Sequence, residues 1–111
     1  MSKRLRVKHP DRGEVWLVDL GMVAKVRPCL IVSIVPSDND RALTALVPHT
    51  TSTRQTRFEV ASAVRFLKSG AFDVQNLITI PHSKLIRKLG VLSESQMLDI
   101  DRTLKDWLGL E

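Results

Sequence analysis

Arg27-Pro28 heads the apolar run 29–35, and about twenty residues later Pro48-His49-Thr50-Thr51-Ser52 closes a second apolar stretch. The two motifs set a permanent cation and a cluster of hydroxyls at the ends of strand-like segments. A guanidinium stays charged at neutral pH and presents a planar fork of donors matched to two phosphate oxygens, while a threonine hydroxyl can hold a third. The pairing suits stabilisation of the extra negative charge that builds on a phosphodiester when a neighbouring hydroxyl attacks it. His49 offers acid–base chemistry as the alternative, because an unperturbed imidazole titrates near about 6.5. Strand alternation opposes that role. With Thr50 facing a groove, His49 faces the other way and reads as a packed structural histidine.

A polyanionic partner fits the charge balance, a formal +5 with a pI near 9.9. Residues 94–111 hold five acids against Arg102 and Lys105, a net of −3, which leaves +8 on residues 1–93. The final segment is therefore expected to stand away from a nucleic-acid face. At 111 residues and 43% apolar content the chain fits one domain near the small end of what buries its own core, a limit that dimerisation relieves. No apolar run approaches the roughly 18 to 20 residues that span a bilayer, and the N-terminus lacks the apolar stretch of a secretory signal. A cytoplasmic protein with no membrane partner is expected. Cys29, the only cysteine, excludes an intrachain disulfide and a Cys-x-x-Cys zinc site, and reads as a small buried hydrophobe. His9, His49 and His82 are scattered and the carboxylates form no ligand-spaced cluster, so neither a metal nor another cofactor is expected.

The elements that must position Arg27 and Thr50 follow from periodicity and punctuation. Residues 1–11, with Lys3, Arg4, Arg6 and Lys8, read as a basic arm able to touch a phosphate backbone. Residues 14–20 form a first strand, and 21–26 a short loop. Pro28 restrains Arg27 to an extended conformation at a strand entrance, with the second strand at 30–35. A turn at 36–40 and a third strand at 42–47 lead to Pro48. The polar stretch 50–57 is a surface loop, 57–61 and 71–80 are further strands, and 83–89 reads as a short basic helix stopped by Gly90. Ser93 and Gln96 make a capping box, Met97, Ile100, Leu104, Trp107 and Leu108 recur at helical spacing, and Gly109 supplies the stop. The fold class is mainly β (α+β), a curled sheet of short, mostly antiparallel strands with a short helix and a C-terminal helix.

The stretch Arg12-Gly13-Glu14-Val15-Trp16-Leu17-Val18-Asp19-Leu20, then Arg27-Pro28-x-Leu30-Ile31-Val32-Ser33, then Val47-Pro48-x-Thr50 resembles the MazF/PemK family of type II toxin–antitoxin endoribonucleases. The similarity covers residues 12–111. It implies a small SH3-like barrel working as a homodimer, with sequence-selective, metal-independent cleavage of single-stranded RNA to 2′,3′-cyclic phosphate and 5′-hydroxyl ends. It also implies an acidic antitoxin whose disordered segment folds across the dimer groove. Arg27 corresponds to the family's catalytic arginine and Thr50 to its Thr or Ser after the third strand. Lys25, Thr51, Ser52, Arg54 and Arg57 are candidate RNA contacts, with Gln75 and Asn76 as candidate base readers. Two departures stand out: loop 21–26 is short, and Gln75-Asn76-Leu77-Ile78 replaces the family's acidic-Gln-x-Arg pattern without its charged member. Two other classes compete. Related gyrase-binding toxins carry a C-terminal Trp-Gly pair, to which Trp107-Leu108-Gly109 is loosely similar, although Trp107 fits the helix's apolar stripe and reads as core or dimer packing. A plain nucleic-acid-binding barrel would have no use for the Arg27/Thr50 pair.

Overall fold

A computed structural model describes residues 9–21 and 25–111. Residues 1–8 of the basic arm expected at 1–11 lie outside the described residues, as does the middle of loop 21–26, while the end of that arm is packed: Pro10 is buried and His9 meets the His82 ring edge-on. The strands are β1 (Glu14–Asp19), β2 (Val26–Ile31), β3 (Leu43–Thr50), β4 (Glu59–Ser62), β5 (Gly70–Asp73), β6 (Ile78–Pro81) and β7 (Leu85–Val91), followed by helix α1 (Glu94–Leu108). They form one antiparallel, barrel-like sheet in the order β4-β5-β3-β2-β1-β7, with β6 also on β3.

Both faces of the central strands are buried. Val15 of β1, Leu30 of β2 and Val47 of β3 pack with Phe72, Leu92 and the helix residues Met97 and Ile100. Val18, Cys29, Ile31 and Leu46 point the opposite way and pack with Ile80 and Leu85. Alternation along a pleated strand produces the two cores, setting Val15 and Val18, three residues apart on β1, on opposite faces. α1 starts and stops as its sequence dictates. Ser93 Oγ accepts from the Gln96 amide while Gln96 Oε1 accepts from the Ser93 amide, and Gly109 ends the helix in the left-handed conformation at φ 70°.

Four expectations change. The third strand, expected at 42–47, runs on through Pro48 to Thr50, so Thr50 ends a strand and does not open the surface loop. The second strand starts at Val26 and stops at Ile31, so Arg27 is inside the strand, paired with Val18, and not at an entrance before Leu30. The apolar run misleads because Ile34 is 76% exposed beyond the strand's end. The strand expected at 71–80 is two strands interrupted by a 3-10 turn, Val74–Asn76, in which Val74 enters the core and its amide bonds Phe58 O at 3.0 Å. The basic helix expected at 83–89 is absent: a 3-10 turn, His82–Lys84, leads directly into β7. Pairing with β1 overrides the helical spacing of Leu85 and Leu89. Gly90 is no helix stop, since a Cβ there would lie 2.4 Å from the Phe66 ring. Among the described residues no helix is long and apolar enough to cross a membrane.

Candidate active site

Antiparallel register brings the two motifs together. β2 and β3 pair Cys29 with Pro48, and the same register carried out by two residues sets Arg27 opposite Thr50. Both belong to the alternation of Cys29, Ile31 and Leu46, so the two side chains share a face at one end of the sheet. His49 belongs to the other face. It is buried, its Nε2 lies 2.9 Å from Ser62 Oγ, and its ring meets Phe72 edge-on with centroids 5.3 Å apart.

A cleft of about 560 Å³ lies over this end, lined by Arg27, Thr50, Ser52, Arg54, Thr56, Glu59, Asp73, Gln75, Asn76 and Trp107. Thr50 Oγ1 accepts from the Ser52 amide at 3.0 Å, which leaves its hydroxyl hydrogen to donate outward. Glu59 organises the loop between β3 and β4 by accepting the amides of Arg54 and Thr56 at 3.0 and 3.2 Å, with Gln55 between them at φ 57°. Those backbone donors, that of Arg54 first, hold the Glu59 carboxyl below its usual range. Asn76 Nδ2 donates to the Asp73 carboxylate, which fixes the amide that ends the 3-10 turn. Among the described residues no carboxylate forms an ion pair with Arg27 or Arg54, so both guanidinium groups keep donors for a ligand. Among the same residues, no three His, Cys, Asp or Glu side chains converge where a metal ion could sit.

Of the residues singled out from sequence, Arg27, Thr50, Ser52, Arg54, Gln75 and Asn76 line the one cleft. Three do not. Lys25 is exposed at φ 52°, its amide bonded to Gly21 O at 2.7 Å where the loop enters β2. Thr51 points into a neighbouring hollow with Thr53, Gln55 and Ser69. Arg57 lays its guanidinium over the Phe58 ring, 4.5 Å from the centroid. Sequence reading missed Thr56, Glu59, Asp73 and Trp107. The signal for Thr56 and Glu59 was present in the spacing Thr-x-x-Glu at the start of a strand, whereas nothing local marked Asp73. Trp107, read as core or dimer packing, is 40% exposed and reaches the cleft from the last turn of the acidic helix. The helix outruns the core that its apolar stripe was taken to fill.

A small antiparallel barrel with a helix packed on one face, and a cleft of arginines, hydroxyls and amides at one end, defines the class. Over residues 11–108 the chain matches the PemK-like, MazF-like toxins of type II toxin–antitoxin systems, and it belongs to that family. Among solved structures it is similar to an endoribonuclease from a mycobacterial species (29% identity over 94% of this chain and 95% of that one, TM-score 0.78). It is similar also to a mycobacterial endoribonuclease in complex with its cognate antitoxin (30% identity, 92% and 97% coverage, TM-score 0.80). MazF from Deinococcus radiodurans, at 21% identity, 93% and 99% coverage and TM-score 0.78, shares the fold.

Proposed function

We propose that this toxin is a sequence-selective endoribonuclease that cuts single-stranded RNA without a metal, with Arg27 and Thr50 as its catalytic residues. The observation that carries the reading is the register that sets Arg27 opposite Thr50 in a cleft also lined by Gln75 and Asn76. In the reaction the substrate's 2′-oxygen attacks phosphorus and loses its proton to solvent or a neighbouring acceptor. The bond from phosphorus to the 5′-oxygen then breaks, and that oxygen takes up a proton. The products are a 2′,3′-cyclic phosphate and a 5′-hydroxyl. Negative charge gathers on the non-bridging oxygens between these events. Arg27 stabilises it with a bidentate fork and the Thr50 hydroxyl donates to a further oxygen.

The two carboxylates in the cleft have other work. Glu59 is occupied by loop amides, and Asp73 by Asn76. Gln75 and Asn76 sit on the 3-10 turn, where their amides can read base edges, which are accessible when RNA is single-stranded. The remaining part of the reading is a cytoplasmic homodimer held in check by an acidic antitoxin. Its support is the small core, the family, and the mycobacterial relative seen in complex with its cognate antitoxin. Incubation of RNA with wild type and Arg27→Ala in EDTA tests the core of it. Cleavage by wild type alone, giving ends that polynucleotide kinase phosphorylates without prior phosphatase, is expected. Activity that vanishes with EDTA and returns with a divalent metal would sink the metal-free mechanism.

A further inference from the structure

The chain has two tryptophans, and the fold uses them differently. Trp16 on β1 is half-buried, its indole Nε1 donating to Glu14 Oε1 at 2.9 Å. Trp107 is displayed on the cleft that holds Arg27 and Thr50. The stripe of α1 explains the difference. Met97 and Ile100 are buried, Leu104 is half-buried, and Trp107 and Leu108 emerge as the helix runs past the core. The indole is held in position there. It packs on Phe58 with ring centroids 5.2 Å apart and planes tilted by 60°, and Phe58 in turn carries the Arg57 guanidinium.

An exposed aromatic ring fixed beside a phosphate-binding group is the arrangement that single-stranded nucleic acids use for stacking. Charge narrows the ligand further. Trp107 is the one residue of α1 that lines the cleft, and neither Arg102 nor Lys105 does, so this wall offers a phosphate no cation. What it offers is an aromatic face, which suits the uncharged π-face of a base. We propose that Trp107 is the platform on which an unpaired base stacks, beside the nucleotide whose phosphate Arg27 holds, and that it sets affinity while Gln75 and Asn76 set sequence and register. The proposal rests on the RNA-cleaving reading and adds a substrate-positioning residue to it.

The test starts from a short RNA that wild type cuts. Trp107→Leu should raise KM about thirtyfold, the middle of what losing one stacked base costs, with kcat and the cleaved sequence unchanged. Trp107→Phe, which keeps an aromatic face, should lose no more than a few-fold. A single abasic nucleotide walked along the RNA should raise the wild-type KM at one position and leave the Trp107→Leu KM unchanged there, the signature of a lost ring–base pair. In a Trp16→Phe background, an uncleavable single-stranded DNA 12-mer should quench the fluorescence of Trp107. An unchanged KM in Trp107→Leu, with Arg27→Ala still inactive, overturns the stacking and leaves the nuclease standing. Absence of coupling at every abasic position overturns it, and absence of quenching overturns it even if the leucine variant fails to fold. Wild type that neither binds nor cuts RNA overturns both readings together.

Discussion

Arg27 lies close enough to His49 to disfavour a second positive charge there, and burial disfavours it more, so the histidine titrates below its ordinary 6.5. Its Nε2 meets Ser62 Oγ, which itself donates to Gly70 O, and its ring packs edge-on against Phe72. A folded-state pKa below the unfolded one means that the unfolded chain binds the proton first. The stability is present above pH 6.5 and is lost as pH falls from there toward the folded pKa. Thermal melts from pH 7.5 down to 5 should show a falling midpoint, and His49→Gln should flatten that fall; an equal slope in both proteins would assign it to other groups. Cys29 carries the same lesson with a thiol. Burial, only partly opposed by Arg27, pushes it up to about 12, which keeps it inert in the folded protein. For Arg27 itself the expected outcome is specific. Arg27→Ala should lose about a hundredfold to a thousandfold in kcat with circular dichroism unchanged, the scale of removing one preorganised donor from a developing oxyanion. If Arg27→Lys retains near-full activity, the bidentate fork is unnecessary and a point charge suffices.

Elements, more than residues, decide where those groups meet, and β5 does so at close range. A Cβ at Gly70 would lie 2.1 Å from Thr50 O and 3.0 Å from His49 Cε1. Gly70→Ala must therefore shift the end of β3 that carries Thr50. We expect a cost of about 1 to 3 kcal/mol in chemical denaturation together with a drop in kcat. Full activity in that variant would show that Thr50 tolerates displacement. Glu59 acts on the loop above. Glu59→Gln removes the charge that gathers the amides of Arg54 and Thr56, so hydrogen exchange at residues 54–56 should accelerate about tenfold while the β2–β3 ladder stays protected. Uniform exchange across the chain would instead mean global destabilisation. The legibility of these elements was uneven for physical reasons. β1 and α1 announce themselves by alternation, a capping box and a terminal glycine. The 3-10 turn at Val74 and the strand after His82 depend on partners far along the chain, Phe58 O and β1, which no local window contains. Arg27 and Thr50 were readable as a pair of motifs. Asp73 and the overhang of Trp107 required the register of the sheet and the length of the helix relative to its core.

At the scale of the whole molecule, charge and size set how the toxin meets its partners. The helix segment 94–111 is net negative, with Asp101 paired to Arg12, whereas among the described residues the guanidinium groups of Arg27 and Arg54, both on the cleft, form no ion pair. Phosphate contacts should therefore come from the cleft and base contacts from the helix end. Salt separates the two. Each phosphate contact on a single strand contributes about 0.7 to the slope of log affinity against log salt, while stacking contributes nothing to that slope. Arg54→Gln should weaken binding of an uncleavable single-stranded DNA and lower the slope by about 0.7. Trp107→Leu should weaken binding by a similar factor and leave the slope as it was. Asp99→Asn should alter neither by much, because its partner is Arg102 one turn away at 3.1 Å and both are on the exposed helix face. These titrations belong beside sedimentation at micromolar protein, where a dimer is expected from the small core. If Arg54→Gln leaves the slope intact, the strand's backbone runs elsewhere. Arg57, freed from Phe58, and Lys25 at the mouth of the loop would be the next cations to neutralise.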